Sequence, residues 1–480
     1  MLKDTFATYY SGALIGLHWN GTSGRNPVDN WSWYSGENSD YRNWNSGEPN
    51  GYAGERNVQI YNTGRWNDIS NNSRSIVEIN LGALAAQTGH DVVYSSLQTY
   101  VLADAIEDCK NIAEKLDAPV ACGYQHNDSF PGKHPLAVGP LGYNGSKAAM
   151  EIISKADVVL ALGTRLNPFS TLPGYGIDYW PKEAKIIQVD INSDRIGLAK
   201  KITVGICGDA KLVAKQILSE LSSSAGDIGR EDRKALIHRT KSAWLQTLTS
   251  LDHEEDDEGT TWNKDSRERD PDRMSPRMAW RAIQAGLPED AIISSDIGNN
   301  CAIGNAYPTF EQGRKYLAPG LFGPCGYGFP SVLGAKIGCP DTPVVGFSGD
   351  GAFGISMSEM TSCSREEWPN ITMVIFRNYQ WGAEKRNTTL WYDNNFIGTE
   401  LDPKLSYAKI AEACGFKGVK VTTQSELTEA LKISCVEQMN GITTFIEVIL
   451  NQELGEPFRR DAMKAPVEVA GISAKDTVVQ

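Results

Sequence analysis

Apolar and polar positions follow two different rhythms along this chain. In residues 1–80 the apolar positions come in short pieces, split by Asn, Gly, Ser and Trp, which predicts short strands among many turns. From about residue 104, amphipathic stretches alternate with continuous apolar runs. A helix is predicted near 146–155, followed by a strand over 157–163. A second strand over 185–191 precedes helices near 210–221 and 230–251. Ser275-Pro276, a cap followed by a first-turn proline, starts a helix over 277–286. Further strands are expected near 291–295, 343–347, 371–376 and 443–449. Fully apolar strands alternating with helices predict an α/β protein whose parallel sheets are covered on both faces.

This rhythm divides the chain into a small α+β segment over 1–80, a junction over 81–102, a first α/β domain over 103–222, a linker over 223–275 and a second α/β domain over 276–480. The acidic run at 252–258 reads as a solvated part of the linker. Among 480 residues, 41% hydrophobic and 22% charged positions fit ordinary globular domains. A net charge of −13 argues against nucleic acid or an anionic membrane as partner. No run approaches the ~20 apolar residues of a membrane span, and Met1-Leu2-Lys3-Asp4-Thr5 opens no signal-like core, so the expected location is the cytoplasm. Nine cysteines begin at Cys109 without a CxxC pair and read as reduced thiols.

The chemistry concentrates at Gly349-Asp350-Gly351, directly after the apolar run 343–348, and at Asn378, which closes the run 371–376. A carboxylate and an amide oxygen at the ends of two buried strands can meet at one sheet edge. Both are hard ligands that suit Mg²⁺, which takes its remaining partners from water or phosphate. Glycines there let the backbone approach a diphosphate. In the first segment, Glu48, Asn50, Glu55, Asn67 and Asp68 form an oxygen-only set that suits Ca²⁺, or else belong to a polar turn and hairpin.

Two resemblances follow from these residues. The stretch from Ala13-Leu14-Ile15-Gly16-Leu17 through Glu48-Pro49-Asn50 and Trp66-Asn67-Asp68 to Ile76-Val77-Glu78-Ile79 resembles part of a C-type lectin domain, which implies Ca²⁺ and a carbohydrate partner. The second α/β domain resembles the diphosphate-binding domain of thiamine-diphosphate enzymes. That resemblance implies Mg²⁺ on Asp350, on Asn378 and on the backbone carbonyl of Gln380. It also implies cofactor contacts from Gly298, Asn299 and Asn300, from Gly323 and Cys325, from Gly349, Gly351, Ala352 and Phe353, and from Asn378, Trp381 and Gly382.

Longer strings, among them 122–128, 163–169, 187–192, 378–387 and 453–461, are similar to the sulfoacetaldehyde acetyltransferase subfamily. The subfamily implies conversion of sulfoacetaldehyde and phosphate to acetyl phosphate and sulfite; acetolactate-synthase-like or decarboxylase chemistry shares the cofactor motif. Lys385, Arg386 and Arg165 are the candidate cations for the two anions. The family's catalytic glutamate belongs to an aminopyrimidine-binding domain, and no stretch here has its length and texture, so no catalytic residue is assigned. The chain is expected to work as a homo-oligomer or with a partner chain that supplies that domain. The alternatives are a chain that binds Mg²⁺ and thiamine diphosphate without turnover, or one that is chiefly a carbohydrate-binding protein.

Overall fold

The computed structural model describes residues 101–454, apart from 102, 124–125, 143–144, 172–173, 222–228, 251–264, 267 and 320–321, together with five strands nearer the N-terminus. Four of those strands, β1 (Ala13–Trp19), β2 (Trp31–Trp33), β3 (Glu55–Ile60) and β4 (Trp66–Ser70), form an antiparallel sheet in the order β2-β1-β3-β4. Glu48, Asn50 and the acidic run at 252–258 lie outside the described residues, as do the side chains of Glu55, Asn67 and Asp68.

The central domain is built on six parallel strands: β5 (Asp91–Ser95), β6 (Val120–Cys122), β7 (Ala137–Pro140), β8 (Val158–Leu162), β9 (Lys185–Asp190) and β10 (Val204–Cys207). Their order is β10-β9-β8-β5-β6-β7. β8 is buried along its whole length, as the unbroken apolar run predicts. Strand β5 comes from the stretch read as a junction and lies in the middle of this sheet, paired with β6 and β8. Helix α1 (Ile106–Leu116) packs with α3 (Ala210–Glu220), and α2 (Lys147–Ile153) packs with α4 (Arg230–Ser250). Ser146 and Asp209 cap α2 and α3 by accepting backbone N–H groups. Helix α4, assigned above to a linker, joins the central domain: Arg233 donates to the Leu116 carbonyl at 2.9 Å, and Trp244 and Leu248 pack on Ala148.

The C-terminal sheet contains β11 (Ile292–Ser295), β12 (Tyr316–Leu317), β13 (Val344–Gly349), β14 (Thr372–Arg377), β15 (Lys417–Val421) and β16 (Thr444–Ile449), parallel in the order β12-β11-β13-β14-β16-β15. Alternate residues feed opposite cores. Val345, Phe347, Val374 and Phe376 join Trp280 and Ile283 of α5 (Pro276–Gly286). Val344, Met373 and Ile375 join Phe329 of α7 (Gly328–Gly338), Phe353 and Tyr407 on the other face. The chain leaves β11 for β12 on one side and returns to β13 on the other, so the loops after β11 and β13 diverge. A crevice at the carboxyl ends of those strands is where a doubly wound sheet holds ligands.

The two domains are joined by polar contacts. Asp128 accepts the backbone N–H groups of Lys315 and Tyr316 at 2.9 and 3.2 Å, covering donors at the start of edge strand β12. Asn127 donates to the Asn305 carbonyl at 2.8 Å.

Candidate functional site

Strands β13 and β14 run in register, with Gly349 opposite Phe376. Asp350 therefore leaves β13 beside Arg377, one residue before Asn378. Asp350 begins α8 (Asp350–Ser356) and is 1% exposed. Its Oδ1 accepts the Gly351 N–H at 3.0 Å. Its Oδ2 accepts the Tyr379 N–H at 2.7 Å and Nη1 of Arg377 at 3.0 Å. Burial pushes the Asp350 carboxyl up to about 6, outweighing the opposing pull of the Arg377 guanidinium.

Asn378 is buried and turns toward the start of α9 (Gly382–Trp391). A Cβ placed on Gly382 would lie 3.4 Å from Asn378 Nδ2, 3.5 Å from Asn299 Cβ and 3.8 Å from Gln380 Nε2. Asn299, Asn378, Gln380 and Gly382 are thus one cluster. The Gln380 side chain donates to the Gln452 carbonyl at 2.9 Å, which fixes its backbone next to the cluster. Trp381 lies against Gly351: a Cβ there would meet the indole at 2.8 Å, so only glycine fits.

The loop after β11 completes the crevice. Gly298, at φ 117°, precedes the short helix α6 (Asn299–Ile303). Its invisible hub is Asp296, which accepts from Ile297 N at 2.8 Å, Gly326 N at 3.1 Å, Gly328 N at 2.9 Å and Ser348 Oγ at 2.9 Å. One carboxylate thereby ties the loops after β11 and around residue 326 to the end of β13. Asn299 donates to the Leu454 carbonyl and accepts from Arg386 Nη1 at 3.0 Å. Asn300 offers its carbonyl to the Trp280 indole N–H at 2.7 Å.

These residues fit a metal-bound diphosphate. Among the described residues nothing stands within 4 Å of a Cβ built on Gly298 or on Gly349, so these residues leave both backbones open to a ligand. A buried carboxylate whose charged form is penalised is the kind of group that a hard cation would stabilise. Gly323, at φ 57°, and Cys325 lie in the neighbouring loop, with Gly323 facing Ile297. Phe353 packs its side chain against Phe329, Tyr407 and Phe445, and Ala352 is buried, so any contact from them to a cofactor would be through the backbone.

The proposed cations separate. Lys385 and Arg386 are on α9, where Lys385 is paired with Glu400 and Arg386 is bonded to Asn299. Burial lowers the Lys385 ammonium, and Glu400 partly restores it. Arg165 follows β8 in the central domain, and its electrostatic neighbours are His126, Arg195 and Asp190. Sequence reasoning missed Arg377, Tyr379, Tyr407, Glu447 and Trp280, and left Asp296 without a role. A charge at position 377, closing an otherwise apolar run, was the available signal for the first. Among the described residues no cluster of three or more His, Cys, Asp or Glu side chains could hold a metal ion, and no helix is long and apolar enough to cross a membrane.

Comparison with known proteins bears on this geometry. Residues 98–217 match the family description "Thiamine pyrophosphate enzyme, central domain", and residues 296–448 match "Thiamine pyrophosphate enzyme, C-terminal TPP binding domain". The chain is 76% identical over 380 residues to a probable sulfoacetaldehyde acetyltransferase of Rhizobium meliloti (strain 1021), covering 79% of this chain and 64% of the relative. It is 72% identical over 376 residues to the sulfoacetaldehyde acetyltransferase of Roseovarius nubinhibens, covering 78% and 62%. A probable acetolactate synthase large subunit of Methanococcus aeolicus is 28% identical over 339 residues, covering 70% and 55%. The chain thus spans less than two thirds of the length of the curated relatives it matches.

Proposed function

We propose that this chain, which carries the central and the C-terminal TPP-binding domains of thiamine pyrophosphate enzymes, holds thiamine diphosphate through Mg²⁺ and serves the conversion of sulfoacetaldehyde and phosphate to acetyl phosphate and sulfite. The observation that carries the cofactor reading is the 2.7 Å bond from the Tyr379 N–H to Asp350, which brings the 378–380 backbone to the acidic end of β13. The named reaction is supported by 76% identity to a protein bearing that name.

In this reading Asp350 and Asn378 hold the cation with the Gln380 carbonyl, and Gly298 and Gly349 admit the diphosphate. The bound cofactor supplies the nucleophilic carbon that lets a two-carbon unit part from sulfite and pass to phosphate. The protein's own residues orient and exclude water. Arg386 fixes Asn299 at the crevice. Lys385 can serve an incoming anion by exchanging its Glu400 contact, since Glu400 is the more exposed partner. Arg165 is the third candidate. A homo-oligomer or a partner chain that completes the site is part of the same reading.

Calorimetry with thiamine diphosphate and Mg²⁺, followed by a sulfite-release assay with sulfoacetaldehyde and phosphate, tests it. We expect Mg²⁺-dependent uptake, and sulfite and acetyl phosphate in equal amounts. Asp350→Ala should abolish the Mg²⁺ dependence; unchanged affinity would refute the ligand assignment. Uptake without sulfite release, at any protein concentration, would favour cofactor binding without turnover. Acetolactate formed from pyruvate would replace the reaction.

A further inference from the structure

Arg377 closes β14 and is completely buried, yet its guanidinium reaches four elements. Nη1 bonds Asp350 Oδ2 at 3.0 Å, and Nε lies 3.8 Å from Glu447 Oε1 on β16. Nη2 donates to the carbonyls of Asp402 and Leu405. The guanidinium also lies over two aromatic rings, 4.3 Å from the centroid of Tyr379 and 5.4 Å from that of Tyr407. Glu447 in turn accepts Ser406 Oγ at 2.6 Å and the Ala408 N–H at 3.1 Å, at the start of α10 (Tyr407–Ala413). Tyr407 OH closes the circle on the Asp350 carbonyl at 2.7 Å.

We propose that Arg377 is the positioning residue of the cation site, clamped between Glu447 and Asp350 so that the Asp350 carboxylate keeps one orientation. This inference rests on the reading of Asp350 and Asn378 as Mg²⁺ ligands. Three arguments support it. A guanidinium N–H bond is directional, and the bonds of Nη2 to the Asp402 and Leu405 carbonyls fix its aim, so Nη1 holds Asp350 Oδ2 along one line where an ammonium would hold it mainly by charge. Groups that orient a ligand residue commonly change metal affinity by about 10–100-fold when they are removed. Finally, two carboxylates and one guanidinium leave a single negative charge, so the cluster still attracts a cation. Without Arg377, two buried carboxylates would face each other uncompensated, and Asp350 would lose its fixed place.

A role confined to stability predicts a different outcome, so two readouts on the full chain are needed. Unfolding in urea without ligand reports stability. Calorimetric Mg²⁺ affinity at saturating thiamine diphosphate reports positioning. Arg377→Met should weaken Mg²⁺ by about 10–100-fold. Arg377→Lys, which keeps the charge without the fork, should lie between it and the wild type. Glu447→Gln, which loosens the far side of the clamp, should have a smaller effect than Arg377→Met. Should Arg377→Met fail to fold, Arg377→Lys carries the test. Wild-type Mg²⁺ affinity in Arg377→Lys, or in folded Arg377→Met, overturns the proposal and leaves the cofactor reading standing. No Mg²⁺-dependent uptake by the wild type overturns both.

Discussion

The two six-stranded sheets meet the same problem at their carboxyl edges, where loops diverge from parallel strands, and they meet it with different chemistry. At the central sheet a neutral amide makes most of the ties, beside one buried carboxylate, Asp190, which accepts the Asn192 N–H at 2.8 Å. Gln188, buried on β9, donates to the carbonyls of Thr164 and Arg195 at 2.9 and 3.1 Å and accepts the Gly197 N–H at 2.8 Å. At the C-terminal sheet buried charged groups carry more of the ties, beside the Asn299 and Gln380 amides: Asp296, Asp350, Arg377 and Glu447 are each at most 2% exposed. Burying a charge costs several kcal/mol unless it is paired, whereas a satisfied amide is nearly neutral. An edge that only connects loops can be built from amides. An edge built from buried charge is suited to hold a ligand of opposite sign, and here that edge coincides with the switch point between β11 and β13.

The sharpest way to break this contrast is to remove one partner of a buried pair. Arg277, on α5, meets Glu453 Oε1 at 3.1 Å, with side chains 2% and 0% exposed. Arg277→Met should cost about 3–5 kcal/mol, because it removes one partner of a buried ion pair. Adding Glu453→Leu should recover most of that loss, since an apolar pair of similar volume is often neutral. The central-sheet counterpart, Gln188→Leu, should cost less, about 1–3 kcal/mol for the bonds left unmade. Urea unfolding of the three variants decides it; equal losses at Arg277 and Gln188 would remove the distinction between the edges.

The two edges should also titrate in opposite directions. His126, at the central domain, is held down to about 3, first by desolvation and then by the Arg165 guanidinium. The unfolded chain therefore takes up a proton below about 6.5 that the folded chain refuses, and stability falls as pH drops toward 3. Asp350 behaves inversely. With its carboxyl raised to about 6, the folded chain keeps a proton that the unfolded chain releases near 3.8, so stability falls as pH rises from there to about 6. Each effect is bounded by about 1.4 kcal/mol per pH unit. In urea series without ligand from pH 4 to pH 6, His126→Asn should remove the acid loss and Asp350→Asn the opposing one. Parallel slopes in the two variants would contradict the sign for one of them.

The sequence made some parts of the two edges visible and hid others for physical reasons. The runs that became β8, β9, β13, β14 and β16 are long, apolar and buried on both faces, so their pattern could be read directly. Asp350 and Asn378 were legible because glycines and strand ends frame them. Strands β6, β10 and β12 have only two to four residues and owe their existence to neighbours far away in the chain. The ionic ties were hidden for the same reason: Arg377 meets Asp350 across 27 positions and Glu447 across a different strand. Lys385 and Arg386 were found as cations, but only the fold gives each a partner.

The smallest effect should distinguish the edges by what it leaves untouched. Trp280 is buried on α5, and its indole N–H bonds the Asn300 carbonyl at 2.7 Å, linking the C-terminal core to the loop at the crevice. Trp280→Phe keeps an aromatic ring in the core but removes that donor, at a cost of about 1 kcal/mol for a buried acceptor left without it. Tyr179, fully buried in the central domain, donates its hydroxyl to the Ser170 carbonyl at 3.2 Å, and Tyr179→Phe should cost a similar amount. Only the first substitution loosens a loop of the proposed cofactor site. Affinity for Mg²⁺ and thiamine diphosphate should therefore fall in Trp280→Phe and stay at the wild-type value in Tyr179→Phe. A loss of affinity in both would mean that general stability, and not the position of the Asn300 loop, governs binding.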